Sequence, residues 1–494
     1  LFWQPKNQFV FKLLALLLVG SLFIKSLIYL DDNGDTWIYH LPFAARLWGL
    51  VTPNEYILEY ERELIYQGFP KLANFLQGFF WWIAGIEQPQ AANLVSFFSL
   101  VGYCVFLRSY LKIPLYLSIL GLLAVPLIHI AATACYVDLF CNVFVAILIL
   151  MTYLLYVRED FLNWRNFILF SLAGAAAANT KYLTVPPIAI ILVFVIGRVI
   201  FLYARRAWGD SQKIAIFILG LIISNSFIFA TEIKNTIIYQ NPFYPLKIQI
   251  AGVVLNHAIE PSEYMSPYLK SLFPAQRWLY SLLEIGAFDD RRPWHWTIAM
   301  DFIPLSEDSF GVGGYMAAYV VFNIILFFYL CRQKNHQAKI ALAFFTVMSL
   351  ITAILPYSYQ LRYYMYWIMV LIALNLYLAS QLNNSSTKSS IVTPHNIGVI
   401  STSAVIVFCI LTKWNFTLPT HHSLPIYIGY SLDTKVFSQI EDGEEVCLVG
   451  FAPRTFLYNS KFNPTRHYSV KAEAALSPDY VEEKCGSRRI IENK

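Results

Sequence analysis

Stretches of about twenty consecutive apolar residues recur along the chain, and they restrict its fold more than any other feature. A run of that length matches the hydrocarbon core of a bilayer, where every backbone N–H and C=O must be satisfied within the segment, as in a helix. Such runs lie near 9–30, 89–111, 113–134, 136–157, 166–181, 183–204, 214–233, 313–331, 340–356, 359–380 and 393–413. They predict an all-α polytopic membrane protein with about eleven transmembrane helices. Only 14% of the 494 residues are charged, too little polar surface for a soluble protein of this size. Basic residues are scattered in short loops and gather on no polar face, so no nucleic-acid partner is expected. Lys6 and Lys12 flank a first run that is too long for a signal-peptide core and lacks a small-residue cleavage site, so it reads as a retained helix.

One piece, "KLANFLQGFFWWIAGI" from Lys71 to Ile86, is apolar but too short to span. If it lies along the interface, Arg108, Lys112, Arg158, Arg165, Arg198, Arg205, Arg206, Lys213, Arg332, Lys334, Lys339 and Lys388 share the side of Lys6 and Lys12, leaving only Lys181 and Arg362 in the opposite short loops. Positive residues favour the cytoplasmic side. Lys71 to Ile86 therefore reads as an interfacial helix, with Trp81 and Trp82 near headgroup depth. The N-terminus is then cytoplasmic in a cytoplasmic (inner) membrane. Three larger segments share the outer face: a first loop over 31–88, a second over 234–312 and a tail over 414–494, beyond a transmembrane domain of 1–413. "QLNNSSTKSS" at 381–390 is a cytoplasmic linker. The tail, with the strand-like "EEVCLVGF", predicts a small extracytoplasmic α/β cap.

Charged residues converge on that outer face. "DDNGDTWIYHLPF" follows the first run, and a helix starting near Gly34 puts Asp35 and Tyr39 on one face. Asp31 and Asp32 either cap this helix in solvent or take part in the site; His40 is a further candidate. Asp138, in "ACYVDLFCN", sits just inside an apolar run, where a carboxylate is costly and usually functional. Lys181 and Tyr182 occupy a turn, "NTKYLTVPP", where a snorkelling lysine is the plain alternative. Arg362 lies among tyrosines, Tyr363 included, in "PYSYQLRYYMYW"; interface anchoring competes there with phosphate binding. "FGVGGY" at 310–315 follows no strand and reads as a loop, not a phosphate cradle.

Sugar transfer from a lipid-linked phosphate needs these parts. One carboxylate takes the acceptor's proton, and cations hold the leaving phosphate as its charge grows. A donor whose polyprenyl tail lies in the bilayer explains the absence of a nucleotide-binding domain. Two other classes stay open: a transporter or flippase of lipid-linked sugars, and a non-catalytic subunit of a membrane complex.

The same segments resemble the GT-C superfamily of integral-membrane glycosyltransferases, which includes protein O-mannosyltransferases and lipid A aminoarabinose transferases. "DTWIYHLPFAARLWG" is similar to the start of that family's first outer loop, "GFPKLANFLQGFFWWIAGI" to its juxtamembrane helix, "YVDLF" to its second-acid segment and "NTKYLTVPP" to its threonine-lysine turn. "NPFYPL" and "QLRYYMYW" resemble segments of bacterial members. The resemblance implies a polyprenyl-phosphate sugar donor and a lipid, glycan or protein acceptor. Asp35 would be the base, Asp138 the second acid, and Lys181 and Arg362 phosphate contacts. Many members carry paired acids directly after the first span, which would favour Asp31 and Asp32. Some relatives use a divalent metal, which Asp35 and Asp138 could hold.

Of seven cysteines, Cys104, Cys135, Cys141, Cys331 and Cys409 fall in or beside apolar runs and read as core residues. Cys447 and Cys485 are the two in the tail. They either form a bridge or are unrelated thiols.

Overall fold

The computed structural model describes residues 5–161, 163–206, 211–250, 252–260, 270–283, 314–332, 335–385, 393–411, 416–421, 423–474 and 478–492. Helix α1 (Pro5–Ile28) leads into a π-helical turn (Thr36–His40) and α2 (Leu41–Leu47). Strand β1 (Tyr56–Ile57) and helices α3 (Tyr60–Gly68) and α4 (Leu72–Ala84) complete the first loop. The bundle continues with α5 (Leu94–Tyr110), α6 (Leu115–Leu123), α7 (Pro126–Ala131), α8 (Asp138–Val157), α9 (Trp164–Ala178), α10 (Val185–Arg206) and α11 (Ser211–Ile228). The second loop holds α12 (Ala230–Tyr239), the hairpin β2 (Gln249–Ile250) and β3 (Val253–Val254), and α13 (Pro274–Leu283). Four long helices follow: α14 (Gly314–Cys331), α15 (His336–Ile354), α16 (Tyr366–Ser385) and α17 (Pro394–Leu411).

Among the described residues five helices are long and apolar enough to cross a membrane: Gln8–Ile28, Pro89–Tyr110, Asp138–Val157, Tyr182–Leu202 and His336–Ile354. Four shorter apolar helices accompany them, at Leu219–Ile228, Met316–Cys331, Tyr366–Gln381 and Pro394–Ile410. The expected span at 113–134 is broken. Pro126 lacks an N–H and excludes the helical conformation before it, and Val125 accordingly takes extended angles, φ −90° and ψ 113°. The two pieces are buried in the middle of the bundle core, where Leu120, Leu122 and Ile128 are inaccessible. Helix α16 runs on to Ser385, so the first five residues of the expected 381–390 linker are helical; the rest lie outside the described residues. Most of "FGVGGY" also lies outside them, as do residues 284–312 of the second loop.

Helix α4 is a single short helix whose faces are inverted relative to a soluble one. It buries Asn74, Gln77, Gly78 and Trp81 and exposes Phe75, Phe79, Trp82 and Ile83. Trp81 departs from expectation: successive helix residues point about 100° apart, and its ring is turned inward, its N–H donating to Ile86 O at 3.1 Å. Gly78 permits the close approach of α2, since a Cβ there would meet Ala44 O at 2.6 Å.

The tail folds as α18 (Leu424–Ser431), α19 (Thr434–Gln439), β4 (Glu445–Val449), β5 (Ser469–Glu473), α20 (Pro478–Cys485) and β6 (Arg489–Glu492). Its sheet is parallel with order β1-β5-β4-β6, so one strand comes from the first loop. A second hydrophobic core joins the two segments, with Trp37, Leu41 and Trp81 packed with Tyr427, Leu448 and Phe456. Cys447 and Cys485 are joined by a disulfide, their Cα atoms 5.7 Å apart. The other cysteines are buried or half-buried, as core residues should be.

Candidate active site

Asp31 assembles the site from three separate segments. Its carboxylate accepts from Thr36 Oγ1 at 2.8 Å, in the π-helical turn, and from the backbone N–H of Cys135 at 2.9 Å, at the entry to α8. Burial raises its pKa, partly offset by these bonds. The contact fixes the turn that carries Asp35 against the segment that delivers Asp138.

Four of the expected charges then lie in one connected chain. Asp138, 4% exposed in its side chain, forms an ion pair with Lys181. The Lys181 ammonium lies 3.7 Å from the centroid of the Tyr363 ring, and Arg362 Nη2 donates to Tyr363 Oη at 3.1 Å. The same Nη2 reaches Asp35 Oδ2 at 3.4 Å. The Arg362 guanidinium also lies 5.1 Å from the ring centre of Tyr136, and its Nε is buried with no hydrogen-bond partner. Burial would lower the pKa of both cations, but the facing anions, Asp138 first, outweigh it and push both up. Both therefore stay charged.

Tyr39 and His40 flank this chain, their rings 4.3 Å apart. Burial, reinforced by Asp35, keeps the Tyr39 hydroxyl protonated well beyond its usual range. Burial also pulls His40 down to about 4 against the pull of Asp35, so the imidazole is neutral. Its Nδ1 is 3.2 Å from the side-chain amide of Asn74.

Two expected site residues are engaged elsewhere. Asp32 accepts from Arg454 at 2.7 Å and from Tyr427 at 2.6 Å, both in the cap, so its carboxylate faces the cap. Tyr182 donates to Gly68 O at 2.7 Å and lies 3.1 Å from Tyr244 O, a buried clamp between loops. The adjacent residues Lys181 and Tyr182 point apart because Lys181 is extended, φ −153° and ψ 130°, before a 3₁₀ turn.

Two residues were not anticipated from the sequence. Tyr136 supplies the face on which Arg362 rests. Asn142 is inaccessible; its amide donates to Asp138 O at 2.8 Å and Arg362 O at 3.2 Å, and its oxygen accepts from Tyr366 N at 2.9 Å. An amide one turn after Asp138 in an otherwise apolar helix was the signal available for it.

The architecture has solved counterparts. ArnT from Cupriavidus metallidurans in the apo state superposes with a TM-score of 0.54 at 12% identity, over 98% of this chain and 95% of that one. ArnT from the same organism bound to undecaprenyl phosphate gives 0.56 at 11% identity, over 99% of this chain and 90% of that one. This chain has the ArnT fold. The resemblance read from the order of motifs is thereby shown as a likeness of fold across nearly the whole length, and the chain is an integral membrane protein. No family model matches the sequence, and no curated protein matches it.

Asp35 and Asp138 each already face a cation, and among the described residues no group of three His, Cys, Asp or Glu side chains could hold an ion.

Proposed function

We propose that the chain is an inverting glycosyltransferase that moves a sugar from a polyprenyl-phosphate donor to an acceptor on the outer face of the cytoplasmic membrane. The observation that carries this reading is the connected charged chain Asp138–Lys181–Tyr363–Arg362–Asp35, and an apolar groove in the bundle accompanies it. That groove, of about 230 Å³, follows α8, α10 and α15. Its lining includes Tyr366 and Pro187, which follow Arg362 and Lys181 in sequence by four and six residues, together with Tyr156 and Ile340. Its apolar walls suit an isoprenoid tail, and one solved protein of the same fold is bound to undecaprenyl phosphate.

In this reading the donor phosphate sits on Lys181 and Arg362, whose unpartnered Nε offers a further donor. Asp35 is the base, because its side chain is 30% exposed whereas Asp138 is enclosed and committed to Lys181. Asp35 takes the proton of the acceptor, whose oxygen attacks the anomeric carbon from the side opposite the phosphate. The bond from that carbon to the phosphate oxygen breaks, and the electron pair leaves with the phosphate. The configuration inverts. Lys181 and Arg362 meet the charge that develops on the leaving group, while Asp138 holds Lys181 in place as a positioning residue.

We further infer eleven crossings, counting the broken α6–α7 pair as one, with the N-terminus cytoplasmic and the cap outside. A reporter active only in the cytoplasm, fused after Lys494, should stay silent. Function is tested by supplying the purified chain in nanodiscs with polyprenyl-phosphate-linked sugars and envelope extract. Release of polyprenyl phosphate together with labelled acceptor supports the reading; no release from any donor in a panel that includes aminosugars and hexoses opposes it.

A further inference from the structure

Helix α4 turns its polar residues inward, and two of them, Gln77 and Asn74, form a buried relay that ends on His40. Gln77 Nε2 donates to the backbone carbonyl of Cys135 at 2.5 Å. A carbonyl only accepts, so this contact fixes which way the Gln77 amide faces. Its Oε1 then accepts from Asn74 Nδ2 at 3.0 Å. The same Nδ2 lies 3.3 Å from His40 O, a second group that only accepts, and 3.2 Å from His40 Nδ1. Anchored on two main-chain carbonyls, Asn74 presents an N–H to Nδ1. A proton on Nδ1 would point at an amide nitrogen that cannot accept it, so the single proton of the imidazole belongs on Nε2. The relay also ties the turn of Asp35 to the approach to Asp138, since Cys135 is held by Asp31 at its N–H and by Gln77 at its carbonyl.

His40 stands beside the base. The bond from Leu41 N–H to Thr36 O closes a π-helical turn of i→i+5 spacing, so His40 lies one such turn after Asp35. Its ring meets the Tyr136 ring edge-on with centroids 5.9 Å apart, and the Arg362 guanidinium lies 5.1 Å from that same ring. The charged groups about it are Asp35 on its own turn, Asp138 at the start of α8, Lys181 before the 3₁₀ turn and Arg362 before α16, with the Tyr39 ring packed on it. Burial and the two cations oppose a charge on the imidazole, the two carboxylates favour one, and burial prevails. An imidazolium here would be a second cation beside Asp35, after Arg362, and a nearby opposite charge weakens a carboxylate as a base. We propose that Asn74 and Gln77 are positioning residues of the transfer reaction, which hold His40 as the neutral Nε2–H tautomer so that no second cation forms beside the base. The inference rests on the reading of Asp35 as that base.

The test combines NMR of the whole chain in nanodiscs, its histidines labelled with ¹⁵N, with transfer rates across pH. The His40 signal is assigned by its loss in His40→Gln. In the wild type, His40 should keep a bare Nδ1 and a protonated Nε2 from pH 8 to pH 5. Asn74→Asp puts an acceptor where the donor was, so Nδ1 should gain a proton and the imidazole should stay charged to higher pH. Transfer by that variant should fall at least tenfold below wild type at pH 6 and climb towards it by pH 9, with undecaprenyl phosphate binding unchanged. The climb should vanish when His40→Gln is added, whereas a purely structural role would lower the rate alike at every pH. A proton on Nδ1 or a charged His40 in the wild type at pH 6, or parallel pH profiles for wild type and Asn74→Asp, overturns the proposal. Should Asn74→Asp misfold, as shown by loss of the lipid, Asn74→Leu decides by its spectrum: with no donor at Nδ1 both tautomers should appear, and an unchanged spectrum overturns the proposal. If the wild-type chain transfers no sugar, the reading of Asp35 as base fails, and the spectra still decide whether Asn74 and Gln77 fix the tautomer.

Discussion

The side-chain amide of Asn142 donates to the main-chain carbonyl of Arg362 at 3.2 Å, across 220 positions of sequence. The same side chain holds Asp138 O and Tyr366 N, so it fixes the start of α8 to the turn before α16. Replacing it with Leu leaves buried polar groups unpaired, at about 1–3 kcal/mol. Asn142→Leu should raise the KM for the donor more than it lowers kcat, because Arg362 is displaced while Asp35 is not. Steady-state kinetics on both parameters, with a thermal melt beside them, checks this; a pure loss of melting temperature with unchanged KM would mean a structural role only.

Lys181 and Asp138 form a largely enclosed pair, and removing one charge leaves the other stranded. Lys181→Met should cost about 3–5 kcal/mol, reduced by the 23% exposure of Lys181. The double variant Lys181→Met with Asp138→Leu should recover much of that stability, since both charges are gone, yet should not recover undecaprenyl phosphate binding. Melting temperature and lipid binding, measured on the three chains, separate the two effects.

His40 makes the fold sensitive to acid. Its pKa is lowered by burial from 6.5 to about 4, so between those values the unfolded chain binds the proton that the folded chain refuses. Stability therefore rises with pH across this window and falls as pH drops through it, by at most about 3 kcal/mol. Thermal melts at pH 7 and pH 4.5 should show the loss, and His40→Gln should show a smaller one.

The Cys447–Cys485 bridge closes a loop with a sequence separation of 38, for which the chain-entropy model gives roughly 3–4 kcal/mol. Reduction, or Cys447→Ser with Cys485→Ser, should loosen the cap and speed proteolysis near β4–β6 while the bundle stays intact. Limited proteolysis followed by mass spectrometry reads the cleavage sites directly.

Much of this was legible in the sequence because lipid imposes a crude rule. Long apolar runs became helices, and acids and bases near a membrane face were rare enough to single out Asp35, Asp138, Lys181 and Arg362. Other features depend on three-dimensional partners. Hydropathy could not register the break at Pro126, because both pieces are equally apolar. Strand β1 has two residues and no pattern of its own; pairing with β5 makes it a strand. Asp32 and Tyr182 sit next to site residues in sequence, but the local backbone turns them towards the cap and towards Gly68. Asn142 and Tyr136 are uncharged and lie in an apolar stretch, and their contacts with Arg362 and Tyr366, more than 200 positions away, tie them to the site.

Transfer by the Asp35→Asn chain tests the central claim most directly. Wild type and variant are compared for sugar transfer from the same polyprenyl-phosphate donor and, in parallel, for undecaprenyl phosphate binding. Loss of a positioned base lowers turnover by about 10²–10⁴-fold, and binding should be retained because Lys181 and Arg362 remain. Turnover equal to wild type in that variant, with the lipid still bound, would contradict the account.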